Sequence, residues 1–408
     1  MKRAVAAAAA LALAAIGSAG TQPARAQVTD DVIKVGVLTD MSSLYSDING
    51  QGAVVATQMA IDDMGGKVLG KPIELVQADV QNKPDVAVST AGRWYDVDKV
   101  DVILGTGASS SSIATMGVAS QKHKVYLATD PASSDITGKL CNPYTVHWVY
   151  DTAALANGTG SAVVKAGGDT WFFITADYAF GHALERDVTK VVLANGGKVV
   201  GGVRAPLNTP DFSSFLLQAQ ASGAKVIGLA NAGGDTINSI KQAAEFGIVK
   251  GGQKLAGLLV FISDVNSLGL KLAQGLNLTE AFYWDQTDAT RAFAKRFAEK
   301  FGGKMPTSIQ AGFYSATKRY LEAVKEAGTD DADKVMTVLK KEPFDDPVFG
   351  KSTIRADGRN VHDMYLYEVK KPEESKGPWD YYKFIRTIPG DEAFRPMDQG
   401  DCPLVKKG

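Results

Sequence analysis

The stretch "DVILGTGASSSSIATMGVASQKHKVYLAT", Asp101 to Thr129, decides the fold class. A strand-length apolar run, Val102 to Leu104, breaks at Gly105-Thr106-Gly107 and hands over to a helix-length segment opened by four serines, Ser109 to Ser112. A second strand-length run, "KVYLAT" (Lys124 to Thr129), follows it. A helix-length crossover lets the second strand run parallel to the first, which a two-residue hairpin does not allow.

The same rhythm extends outward. "IKVGVLT" (Ile33 to Thr39) reads as a buried strand, followed by a helix through "AVVATQMAIDDMGG" that stops at Gly65-Gly66. "PIELVQADV" (Pro72 to Val80) is the next strand, with a helix over residues 84–98 behind it. Downstream the rhythm restarts with strands "TWFFIT", "GKVVGGV", "AKVIGLA" and "LAGLLVFI", separated by helices such as "DTINSIKQAAEFG". The fold class is therefore α/β, with two Rossmann-like lobes of parallel sheet. Extended passages at "YTVHWVYDT" (Tyr144 to Thr152), "LTEAFYWDQ" (Leu278 to Gln286) and "FDDPVFGKSTIRADG" (Phe344 to Gly358) read as three crossing strands between the lobes. The expected boundaries are 28–147 with 281–344 for the N-terminal lobe, and 148–280 with 345–408 for the C-terminal lobe and tail. Helices are expected over 288–301, 307–327 and 330–340, and a strand at "HDMYLYEV".

The 408 residues are 45% hydrophobic and 22% charged with a formal net charge of -1, which lacks the basic excess of a nucleic-acid partner. Lys2-Arg3, the apolar run Ala4 to Ile16 and Ala24-Arg25-Ala26 form a secretory signal pattern, so residues 1–26 are expected to be removed on export to the periplasm. An oxidising compartment favours a disulfide between Cys141 and Cys402, with two separate thiols as the alternative.

Open parallel sheets bind ligands beyond the carboxyl ends of their strands. The loops there are "DMSSLYSDING", "GASSSS" and "DPASS" in the first half, and "ADYAFG", "NAGGDT" and "SDVNS" in the second. Ser109 or Ser110 either caps the third helix or holds an anion at its N-terminus, with Ser133 facing the same point. The missing G-K-[ST] argues against a phosphate loop, and no H-E-x-x-H, C-x-x-C or G-x-S-x-G is present. His123, His147, His182 and His362 are scattered without metal-ligand spacing, so no metal, cofactor or catalytic residue is expected; His147 reads as a packed hinge residue. Tyr45, Tyr178 and Phe180, with Tyr150 and Trp284, are candidates to wall an apolar group. Asp177, Asp235 and Asp264 are candidate partners for an ammonium or hydroxyl, although Asp235 in "GGDTINSI" is better placed to cap a helix.

The start "IKVGVLTDMSSLYSDINGQGAVVATQMAIDDMGG", "ILGTGASSSS", "FFITADYAFGHALERDVTKVVLANGGKVVG" and "DFSSFLLQAQASGAKVIGLANAGGDTINSIKQAAEFG" together resemble the branched-chain amino acid-binding family, the solute-binding proteins of ABC transporters with the type I periplasmic binding fold. The resemblance spans Asp31 to Val369. It implies two lobes on a three-strand hinge, a monomer, closure around a solute, and delivery to an ABC permease and its ATPase. It places the family's carboxylate-holding serine on Ser109 or Ser110 and its next contact on Asp130, Pro131, Ala132 and Ser133. It places the second-lobe aromatic on Phe180 or Tyr178, the following loop on Asn231 to Asp235 (with Gly234), and an ammonium partner near Asp264. Asp130 departs from the family's small residues, and Phe180 from its common tyrosine. The resemblance also reaches a branch that takes aromatic acids. A sensor of the same fold feeding a membrane receptor, and an exported α/β enzyme, are the competing readings.

Overall fold

The computed structural model describes residues 28–406; the expected signal segment, 1–26, lies outside them. Strands β1 (Ile33–Thr39), β2 (Lys67–Val68), β3 (Lys71–Asp79), β4 (Val102–Gly105), β5 (Val125–Ala128) and β6 (Thr145–His147) form one sheet in the order β2-β3-β1-β4-β5-β6. Its pairings are parallel except β2 with β3. Every residue of β4 and β5 is buried, as expected where helices cover both faces of a sheet. Strands β7 (Thr170–Ala176), β8 (Lys198–Ala205), β9 (Val226–Ala230) and β10 (Lys254–Gly257) form the second sheet in the order β10-β9-β7-β8, parallel throughout.

Two antiparallel sheets complete the chain. One joins β11 (Asn277–Glu280) to two late strands; the other holds β12 (Phe344–Asp346), β13 (Gly350–Ile354) and β14 (Asn360–Val361). The late strands are β15 (Met364–Val369) and β16 (Tyr382–Ile388), and they pack in the core of the second lobe. The chain therefore passes between lobes after β6, after β11 and after β14. The helix Ser308–Ala327 returns to the first lobe and lies along Gly50–Asp63, where Tyr314 donates to Asp63.

Several local expectations change. The first passage contributes β6 to the first sheet before it leaves, and the third folds as the β12–β13 hairpin. "LAGLLVFI" stops being a strand at Gly257, because Asp264 accepts the Phe261 N–H and opens the helix Ile262–Leu268 there. The tail, grouped with the second lobe on sequence, carries β16 and is also fastened to the first lobe. Arg395 donates to the Ser134 carbonyl, and Cys402 is joined to Cys141 with their Cα atoms 5.5 Å apart.

Candidate functional site

In each parallel sheet the strand order reverses once, between β1 and β4 in the first lobe and between β7 and β9 in the second. Loops beyond such reversals diverge and leave a crevice. The two crevices face each other and form one cleft lined by both lobes.

The first-lobe wall is polar. Gly105 at the end of β4, then Thr106 and Gly107, have φ of 99°, 85° and 63°, a left-handed run that is costly at the non-glycine Thr106. The run turns the Gly107 N–H onto Asp130 Oδ2 (2.8 Å) and the Ala108 N–H onto Asn82 Oδ1 (2.9 Å). Asp130 Oδ2 also accepts from the Thr39 hydroxyl at 2.7 Å and the Asn49 amide at 3.0 Å. This backbone concavity suits an acceptor oxygen, and the Asp130 carboxyl supplies one from within. Burial pushes the Asp130 carboxyl up to about 7, against the pull of those donors. Its Oδ1 has no hydrogen-bond partner, while Tyr150 donates to its main-chain carbonyl.

Ser109 opens the helix Ser109–Gln121, yet it does not cap it; the cap position is Ala108, with no side-chain bond. Its Oγ instead accepts the N–H groups of Ala132 and Ser133, both at 3.2 Å, which ties the loop after β4 to the loop after β5. Ile48 and Asn49, just before the helix Gly50–Asp63, and Ile309 complete this side.

The second-lobe wall is apolar: Tyr150, Tyr178, Phe180, Ala232, Leu259 and Phe261. Phe180 enters the core because Gly181 behind it packs on β7, where a Cβ would come within 2.0 Å of the Ala176 carbonyl. The lobes touch over the cleft. The Tyr45 and Tyr178 hydroxyls are hydrogen-bonded at 2.5 Å, and Gly233, at φ 56°, lies so close that a Cβ would meet the Leu44 carbonyl at 2.9 Å. Burial raises both phenols, Tyr45 well above its usual range, so they stay neutral.

Of the expected residues, the structure brings Tyr45, Ser109, Asp130, Pro131, Ala132, Tyr150, Tyr178 and Phe180 to the cleft. Ser110 is half-buried outside it, one helical step from Ser109. Ser133 contributes its N–H to Ser109, while its hydroxyl accepts from Asp135. Asn231 turns inward to Ser239 and Thr236. Gly234 packs on Leu44. Asp235 neither lines the cleft nor caps its helix; it accepts from the Asn208 and Thr209 N–H groups and so pins that loop. Asp264 holds its own helix start. Trp284 donates to the Trp379 carbonyl, away from the cleft. His147 is buried at Pro131 O, and burial drives its pKa well below the usual value. Sequence reasoning missed Ile48, Asn49, Leu259, Phe261 and Ile309. Leu259 and Phe261 follow β10, but their apolar character hid them inside an expected strand.

A family model described as "Periplasmic binding protein" matches residues 32–377. The chain belongs to the periplasmic binding protein family. This periplasmic binding protein is 55% identical to a crystal structure of a periplasmic binding protein from Burkholderia mallei, with a TM-score of 0.90 over 92% of this chain and 100% of that one. It is 44% identical to a branched chain amino acid ABC transporter periplasmic ligand-binding protein from Burkholderia xenovorans, TM-score 0.81, covering 91% and 99% of the two chains. A solute-binding protein of an ABC transporter from Rhodopseudomonas palustris, solved with 3,4-dihydroxybenzoic acid, shares the fold at 24% identity and TM-score 0.79, covering 88% and 98%. The two-lobed type I arrangement is thus common to this periplasmic binding protein and its neighbours.

Proposed function

We propose that this chain captures a small carboxylate-bearing solute between its lobes, in the periplasm, and delivers it as a monomer to an ABC permease and its ATPase. The candidate solutes are a branched-chain or other amino acid, or an aromatic acid of the kind bound by the Rhodopseudomonas palustris neighbour. The observation that carries this reading is Ser109. Both acceptor positions of its Oγ are engaged by buried N–H groups, so its own proton is free to donate into the cleft, at a helix N-terminus that favours negative charge. Opposite it stand aromatic and aliphatic surfaces suited to the rest of such a molecule. No His, Cys, Lys or Arg lines the cleft among the described residues.

Binding to the native state raises its melting temperature. A thermal-shift panel of amino acids, benzoates and short-chain acids on residues 27–408 is expected to show a rise for one carboxylate class. No shift with any carboxylate overturns the reading.

A further inference from the structure

Among the described residues, Asp130 is the only Asp, Glu, Lys, Arg or His lining the cleft. Its two oxygens differ. Oδ2 accepts from the Gly107 N–H and the Asn49 amide, which only donate. The Thr39 hydroxyl, itself accepting from Asn49, sends its proton to Oδ2 as well. Oδ2 therefore has no room for a proton of its own, and any proton on this carboxyl belongs to the unpartnered Oδ1. A solute carboxylate beside an ionised Asp130 would set two like charges together in a buried site without a cation, which two carboxyl groups resolve by sharing a proton.

We infer that Asp130 joins in capture as a carboxylic acid, its Oδ1–H donating to the solute's carboxylate, so that wherever the free protein holds Asp130 ionised each anion bound takes up one proton from solvent. This deepens the carboxylate reading proposed above and rests on it. The sign of the linkage is fixed by the free protein. Burial has already raised Asp130 from 3.8 to about 7, so below that pH the proton is present before binding. Above it the proton must be acquired on binding, and affinity falls about tenfold per pH unit.

The other titratable groups around Asp130 are accounted for. Tyr126, Tyr150, Tyr45 and Tyr178 are phenols raised by burial. His147, behind Pro131, is kept neutral by burial, with buried Arg359 beside it. Asp40, one residue beyond Thr39, is held by Ser43, the Tyr45 N–H and Asn82. Across Tyr150, burial pushes Glu280 to about 8 and Asp264 to about 7, so they titrate in the same window without lining the cleft.

The test is calorimetric titration at pH 6 and pH 8, in buffers of different ionisation enthalpy, using whichever of benzoate, 4-hydroxybenzoate, butyrate or leucine binds. The expected result is no proton uptake at pH 6, uptake approaching one per solute at pH 8, and weaker binding at pH 8. Asp130→Asn places an amide donor where Oδ1–H stood and leaves no carboxyl to titrate, so this variant is expected to lose the wild-type pH slope, with no proton uptake and the same affinity at pH 8 as at pH 6. Glu280→Gln is expected to retain the wild-type pH slope. Binding without proton uptake in the wild type overturns the inference alone, as does proton release at pH 6, the mark of an ionised Asp130 paired with an ammonium. Loss of binding in folded Asp130→Asn at both pH values also overturns it. No carboxylate binding at either pH overturns the proposed function, and the inference with it.

Discussion

The first-lobe wall ends β1, β4 and β5 in loops whose polar groups converge on Ser109 and Asp130, whereas the second-lobe wall ends β7, β9 and β10 in aromatic and aliphatic side chains. The order β3-β1-β4-β5 within the first sheet repeats in the second as β8-β7-β9-β10, with the same kind of crevice. The difference shows how one architecture divides a binding task. Hydrogen bonds fix direction and must be satisfied in place, so they sit on a wall whose loops are tied to each other. Apolar contact needs only area and exclusion of water, so it sits on the opposite wall.

This division is open to attack from both sides. Phe180→Ala removes a ring that is 2% exposed, 5.7 Å from Tyr178, and is expected to lower stability by about 3–5 kcal/mol and to weaken every solute alike, whatever its head group. Unchanged affinity, measured by titration on the folded variant, would mean the second lobe is no wall. Ser109→Ala comes next: it orphans two buried N–H groups and removes a charge-assisted donor, so affinity for the carboxylate is expected to fall about 10- to 100-fold. An apolar analogue lacking the carboxylate should lose far less. Tyr45→Phe cuts the hydroxyl bridge between the lobes and is expected to weaken binding about two- to tenfold, mainly as faster release in stopped-flow chase. Ser110→Ala is expected to change neither affinity nor melting temperature beyond about 0.5 kcal/mol. A loss matching Ser109→Ala would move the donor one residue along the helix.

Much of this was legible in the chain. The apolar runs around Asp101 to Thr129 are short, bounded by glycine and separated by a helix-length segment, and both strands formed within a residue or two of their expected ends. The strand-end rule then brought attention to the loops of Tyr45, Ser109, Asp130 and Phe180. It does not say which side chain of a loop turns inward, because that depends on backbone twist. Hence Ser110 lies one step off the cleft, and Asn231 and Asp235 serve their own lobe. Nor does it reach Ile309, which arrives from a helix far along the chain, or Leu259 and Phe261, whose apolar run ends its strand at Gly257 only because Asp264 starts a helix there. Asp130 stood out as an oddity in sequence; its role depends on two oxygens with different surroundings, which spacing alone does not reveal.

The most direct test of the division between the walls is a crystal structure of residues 27–408 with the proposed carboxylate solute bound. The expected result places the carboxylate within hydrogen-bond distance of Ser109 Oγ and Asp130 Oδ1, with the remainder of the molecule against Phe180 and Phe261. A carboxylate held by the second lobe, or a solute seated outside this cleft, would contradict it.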